Sequence, residues 1–154
     1  MPRSRIAPIA LVCALLAGCG KKQVAPPPPI VFYSLEEGER AAIRTHKLAL
    51  VFFGADWSMA DKQLEHETFP HPTVREALRD WVLIKVDMTD DEAPGLLAAK
   101  SRFEIHGDPT TILVDLEYED GELLRFNEYV PPIKMASAIR AAAARAKLRR
   151  AEER

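Results

Sequence analysis

The stretch "LALVFFGADWSMADKQ", residues 48–63, decides the fold. From Leu48 to Ala55 it holds no polar side chain. A strand covered on both faces of its sheet reads this way, whereas a half-wetted strand alternates. After Asp56 the pattern turns helical, and a helix is predicted from about Trp57 to Thr68. Ser58 suits its N-cap, because a hydroxyl there can accept from an unpaired N–H of the first turn. Asp61 would sit in that first turn, near the positive end of the helix dipole. "FPHP", residues 69–72, ends the helix, since two prolines deny the backbone its donors.

Working outward, the same two patterns repeat. Upstream, "IVFYSLEEGERAAIRTHK" begins with a short apolar run and becomes a helix from Leu35. Ser34 and Glu37 stand at capping-box spacing, and Ala41, Ala42 and Ile43 supply part of its buried face. Downstream, "TVREALRD" predicts a short helix and "WVLIKVDM", residues 81–88, a second buried strand. "TDDEAPGLLAAKSRF" predicts a helix that opens with acids, with Pro94 in its first turn. "TTILVDLEYEDGELLRFNEYV" predicts two strands around Asp120-Gly121, a hairpin signal. A last helix runs from about Pro132 to Arg150, with Ile133, Ala136, Ile139 and Ala143 on one face. Its basic end, "RAKLRRAEER", complements the helix C-terminus. The order β-α-β-α(α)-β-α-β-β-α implies an α/β domain: a mixed sheet with helices on both faces, and no internal repeat.

Bulk composition agrees with one globular domain. The chain has 154 residues, 47% hydrophobic and 29% charged, with a net charge of −2. That is enough chain to bury a core without staples, and too little positive charge for a nucleic-acid partner. No apolar run beyond the first twenty residues could span a bilayer.

The N-terminus lies outside the domain. "MPRSR" followed by "IAPIALVCALLAG" reads as a secretory signal. "LAGC", Leu16 to Cys19, resembles the lipobox of bacterial lipoproteins. That resemblance implies cleavage before Cys19, a lipidated Cys19 thiol, and a periplasm-facing protein anchored in the cell envelope. Gly20 at the second mature position favours the outer membrane. Acyl chains would hold such a protein at a membrane, each buried methylene contributing roughly 0.8 kcal/mol. "GKKQVAPPPP" then forms a Pro-rich spacer of roughly 3 Å per residue. The expected division is a signal peptide over 1–18, a lipidated Cys and linker over 19–29, the domain over 30–150 and a tail over 151–154. The chain has two cysteines, Cys13 and Cys19. On this reading one leaves with the signal and the other carries lipid, so the mature domain has neither thiol nor disulfide.

Several segments together resemble the thioredoxin-like superfamily, and most of all the thioredoxin-like C-terminal domain of the bacterial membrane thiol–disulfide interchange reductase. "VFFGADWSMADKQLEHETFPHPTVREAL" resembles the active-site strand and helix, "WVLIKVDMT" the next strand, and "FEIHGDPTTILVD" the Gly-x-Pro-Thr segment. The likeness spans about residues 30 to 145. It implies a three-layer α/β/α sandwich with central parallel strands and a C-terminal hairpin. Trp57 matches the family tryptophan, Pro109 the cis proline, and Thr110 the residue after it. Ser58 and Asp61 stand where the family carries its two cysteines.

That departure removes the implied chemistry. Thiol–disulfide exchange needs a thiolate attacking sulfur through a mixed disulfide. A serine hydroxyl is too weakly acidic, and Asp61 cannot resolve such an intermediate. Ser58 with Asp61 shows no Ser-His-Asp order, and a hydrolytic nucleophile needs a base within reach. His46, His66, His71 and His106 are scattered. Asp61, Glu65 and His66 share a helix but read as a solvated face, so no metal and no cofactor are expected. What the resemblance leaves is a groove: Trp57, Asp108, Pro109 and Thr110 would bind an extended peptide or an envelope protein, with His106 nearby. Participation in thiol–disulfide exchange and metal binding are the alternatives.

Overall fold

A computed structural model describes residues 28–153. The signal, Cys13, Cys19 and most of the Pro-rich spacer lie outside the described residues, as does Arg154.

The buried run of the opening stretch forms β1, Ala49–Gly54, with all six residues buried. It lies inside a four-stranded sheet of order β2-β1-β3-β4, where β2 is Val82–Asp87, β3 Thr110–Val114 and β4 Glu122–Phe126. β1 and β2 are parallel; β1 with β3 and β3 with β4 are antiparallel. Alternation sends Val51 and Phe53 to one face, where α1 (Leu35–Thr45) and α4 (Leu96–Arg102) cover them. It sends Leu50 and Phe52 to the other, against Leu64, Phe69, α3 (Pro72–Ala77) and α5 (Pro132–Glu152). Helices on both faces explain why β1 carries no polar alternation. Phe52 and Phe69 meet edge to face at 5.3 Å between centroids, and Phe32 joins them from the N-terminal segment at 5.7 Å from Phe69. Burying each such ring stabilises the fold by roughly 1.5–3 kcal/mol. On the other side Gly38 lets α1 approach β2, since a Cβ there would stand 2.3 Å from Ile84 Cγ1.

Four local expectations are corrected. The sheet has one parallel pair, and the first apolar run contributes a single bridge, Tyr33 to Ile84, because Ser34 caps α1 immediately after it. The helix after β1 is split: α2, Met59–Gln63, passes into a π-helical turn, Leu64–Thr68, closed by Phe69 N–H donating to Leu64 O. The extra residue in that turn places Thr68 to donate its hydroxyl to Val130 O at 2.8 Å. α4 starts at Leu96, after Gly95 at φ 81°; Pro94 and the acids Asp90, Asp91 and Glu92 lie before it in a loop. Ile43 and Ile133 are exposed, and the face of α5 that packs inward carries Met135, Ala136, Ile139, Ala142 and Ala146. The hairpin expected around Asp120-Gly121 is present, with β3 and β4 antiparallel. β3 and β4 are joined through residues 115–121, and Gly121 is needed for contact: its Cβ would fall 1.8 Å from Asp115 O.

The basic end of α5 does more than complement its dipole. Arg145 donates to Leu123 O, Arg149 to Asp120 O, and Arg150 to both carboxylate oxygens of buried Asp115. These bonds pin the last helix to β4 and to the β3–β4 connection.

Candidate functional site

Strand register brings three loops to one end of the sheet. Phe53 pairs with Thr110, so residues 55–58, which follow β1, lie beside Asp108 and Pro109, which precede β3. Gly54 pairs with Asp87, which sets the turn after β2 on the other side. Trp57, Ser58 and Asp61 thus share a neighbourhood with Asp108, Pro109 and Thr110.

Each loop is fixed by a short polar contact. Asp87 Oδ1 accepts from Thr89 N at 2.8 Å, and Thr89 Oγ1 accepts from Asp56 N at 2.9 Å. The Thr89 hydrogen bonds hold the Asp87 carboxyl below its ordinary value. Across the site the Asp108–Pro109 peptide is cis. Thr110 closes that turn, its hydroxyl donating to Gly107 O at 2.8 Å beside Asn127. Ser58 caps α2, its Oγ accepting from Asp61 N at 3.4 Å. Asp61 reaches back, its Oδ2 accepting from Ala55 N at 2.6 Å. The helix head and the loop before it are therefore clamped by oxygen, not sulfur.

Asp61 is the unusual group. Its residue is 1% exposed, and Oδ1 has no hydrogen-bond partner. A buried acceptor left unmatched costs about 1–3 kcal/mol. Burial raises its pKa; the Ala55 N–H and the Ser58 hydroxyl oppose the rise, and the Asp108 and Glu65 carboxylates add to it. Ser58 is also buried. The surface above is apolar: Trp57 is 60% exposed and Met59 71%. His106 is exposed on the loop before Pro109.

Some site residues escape a sequence reading. Lys85 of β2 meets Glu65 at 2.6 Å and Asp56 at 3.9 Å. Burial works to lower the Lys85 pKa, but Glu65, Asp56 and Asp87 together hold it above its ordinary value. The Asp87-x-Thr89 turn has a weak local signal, an acid two residues before a hydroxyl after a strand. Lys85 and Asn127 have none, since only register brings them in. Glu65 is turned to Lys85 and shares no metal cluster with Asp61 and His66. Among the described residues no three His, Cys, Asp or Glu side chains converge as ligands.

Solved structures match this architecture. A thioredoxin from Thermus thermophilus superposes with a TM-score of 0.64 at 18% identity, over 75% of this chain and 88% of that one. The oxidised C-terminal domain of DsbD from Neisseria meningitidis gives 0.55 at 20% identity, over 66% and 86%. The fold is thioredoxin-like. Curated relatives add sequence similarity. The thiol:disulfide interchange protein DsbD of Ralstonia nicotianae is 39% identical over 83 residues, 54% of this chain and 14% of that protein. DsbD of Haemophilus influenzae is 35% identical over 81 residues, 52% and 14%. The chain thus spans 14% of the length of these relatives. No family model matches it. Among the described residues of this thioredoxin-like chain, no helix is long and apolar enough to cross a membrane.

Proposed function

We propose that this is a thioredoxin-fold protein of the cell envelope that carries out no thiol–disulfide exchange and acts by binding a polypeptide. Ser58 and Asp61 take the places of the two redox cysteines, and residues 28–153 contain no other. The observation that carries the reading is the Asp61 clamp. Its carboxylate holds Ala55 N–H inside the helix head, a bond to oxygen where the chemistry would need sulfur. The binding half rests on Trp57, left 60% exposed beside a cis Asp108–Pro109 peptide. An extended peptide would pair with the backbone at half-buried Asp108, above the buried Pro109 and Thr110, with Trp57 as its apolar contact. Lipidation at Cys19 would keep this face at a membrane surface, most readily the outer membrane.

Insulin reduction by dithiothreitol tests the first half, with the full chain expected to leave the turbidity lag unchanged. A shortened lag, together with a reactive thiol titrated in denaturant, would restore the redox reading that similarity to DsbD favours. Crosslinking in membranes tests the second half, and Trp57→Ala is expected to lose the adducts that wild type forms. Adducts unchanged by that substitution would remove the groove from the account.

A further inference from the structure

The chemistry of the bound segment follows from the charges around the groove; this step rests on the groove being a binding face. Asp61 feels the carboxylates of Asp108 and Glu65. Lys85 feels those of Glu65, Asp56 and Asp87. Lys85 thus serves Glu65, Asp56 and Asp87, and it is not among the groups acting on Asp61. Lys85 is committed mainly to Glu65, at 2.6 Å against 3.9 Å for Asp56. Lys62, the next residue of α2 after Asp61, is exposed. The Asp56 side chain is 74% exposed, next to Trp57 in the chain, and Asp108 is half-buried before Pro109.

Acidity alone would be an ordinary solvated surface. Two further features separate this one. Behind the loop, Asp61 is a buried acid with one oxygen, Oδ1, that has no partner within the protein, and with Asp108 as its neighbour. In front, the Trp57 indole is bare, and an indole face is the best aromatic partner for a cation. We propose that the occupant is an extended basic segment of a protein partner, lying over the loop before Pro109 with a lysine or arginine side chain directed to Asp56 and Asp108 beside Trp57. Arginine suits the site better than lysine, because a planar guanidinium can stack on the indole and still donate in its plane to carboxylates. The same charges would reject an acidic segment, so the arrangement selects against partners as well as for them.

Panning a display library of random twelve-residue peptides on the immobilised full chain tests this, with Trp57→Ala and Asp56→Asn/Asp108→Asn chains in parallel. Basic residues are expected to be enriched at least threefold over the input on wild type, and not on the double Asn variant. The best peptide should bind about tenfold more weakly once its basic residue is replaced by glutamine, and the loss should shrink in high salt. Trp57-dependent peptides with no basic enrichment would overturn the charge inference and leave the groove standing. If no selected peptide depends on Trp57, the groove and its occupant both fail. Circular dichroism of each variant shows that it is folded before panning.

Discussion

Two buried aspartates, at opposite ends of β3, are treated in opposite ways. Asp115, just past the C-terminal end, is fully buried and gripped by Arg150 at 2.7 and 2.8 Å, while its backbone N–H donates to Gly121 O. Arg150 continues to Glu117 at 2.8 Å and to His46 O at 2.9 Å, so helix α5, the β3–β4 connection and the cap of α1 are joined. Asp61 lies at the end where β3 begins. It has one N–H, an empty oxygen, two repelling carboxylates nearby, and exposed Trp57 and Met59 above it. A buried charge persists when paired and is costly when not. The first end is built for stability. The second keeps a polar frustration that stability alone would remove, which is the physical reason to place function there.

The largest expected effect lies at the stable end. Arg150→Met would strand the Asp115 carboxylate without its cation, and removing one partner of a buried pair costs about 3–5 kcal/mol. The urea midpoint should fall accordingly, with an unchanged slope. A loss below about 1 kcal/mol would mean that water reaches Asp115, and the contrast between the two ends would weaken. Next in size, Gly121→Ala would drive a methyl into Asp115 O. Overpacking of this kind costs about 1–3 kcal/mol, and here it should loosen the same network, so the two losses should be less than additive.

At the other end the sign reverses. The Asp61 pKa is raised above its ordinary value of 3.8 by burial. The folded state therefore holds this proton more tightly than the unfolded chain. Stability from this group is fully present below about pH 3.8 and is lost as pH rises through the folded value. Asp61→Asn removes that loss, and its amide could donate toward Asp108 while its oxygen keeps the Ala55 N–H. The variant should be more stable than wild type at pH 8, by about 1 kcal/mol, and the gain should vanish at pH 4. Thermal melts at the two pH values decide it. A destabilised Asn variant at pH 8 would mean that ionised Asp61 has a partner after all.

The sequence made the stable end less legible than the frustrated one. Uninterrupted apolarity in Leu48–Ala55 gives β1 and its two covered faces, and "GADWSMAD" with "GDPTT" marks the loops that register then brings together. The four helices beginning at Leu35, Met59, Pro72 and Pro132 carried their start signals in Ser34, Ser58 or proline. The α4 start did not, because Gly95 caps it by conformation and offers no side chain to read. The arginines of α5 looked like dipole complements, since nothing local shows that residues 115–121 fold back beneath them. Asp61 was legible as a helix-head acid; its burial and the nearby Asp108 charge were not, because strand register brings the loop before β3 beside it. Lys85 stayed hidden inside an apolar strand for the same reason.

The smallest expected effect compares the two serine caps. Ser34 caps α1 as part of a box, accepting from Glu37 N at 3.4 Å while donating to Glu37 Oε2 at 2.8 Å. Ser58 accepts from Asp61 N at the same distance, but the side chain three residues on is turned away to Ala55. Losing a serine cap costs about 0.5–2 kcal/mol. Ser58→Ala should fall at the low end of that range, and Ser34→Ala higher, because it also frees Glu37. Should Ser58→Ala prove the more damaging of the two, the hydroxyl would be holding the Asp61 carboxyl as well as its backbone. The head of α2 would then be a coupled polar unit, and Asp61→Asn should lose its gain at pH 8 in the Ser58→Ala background.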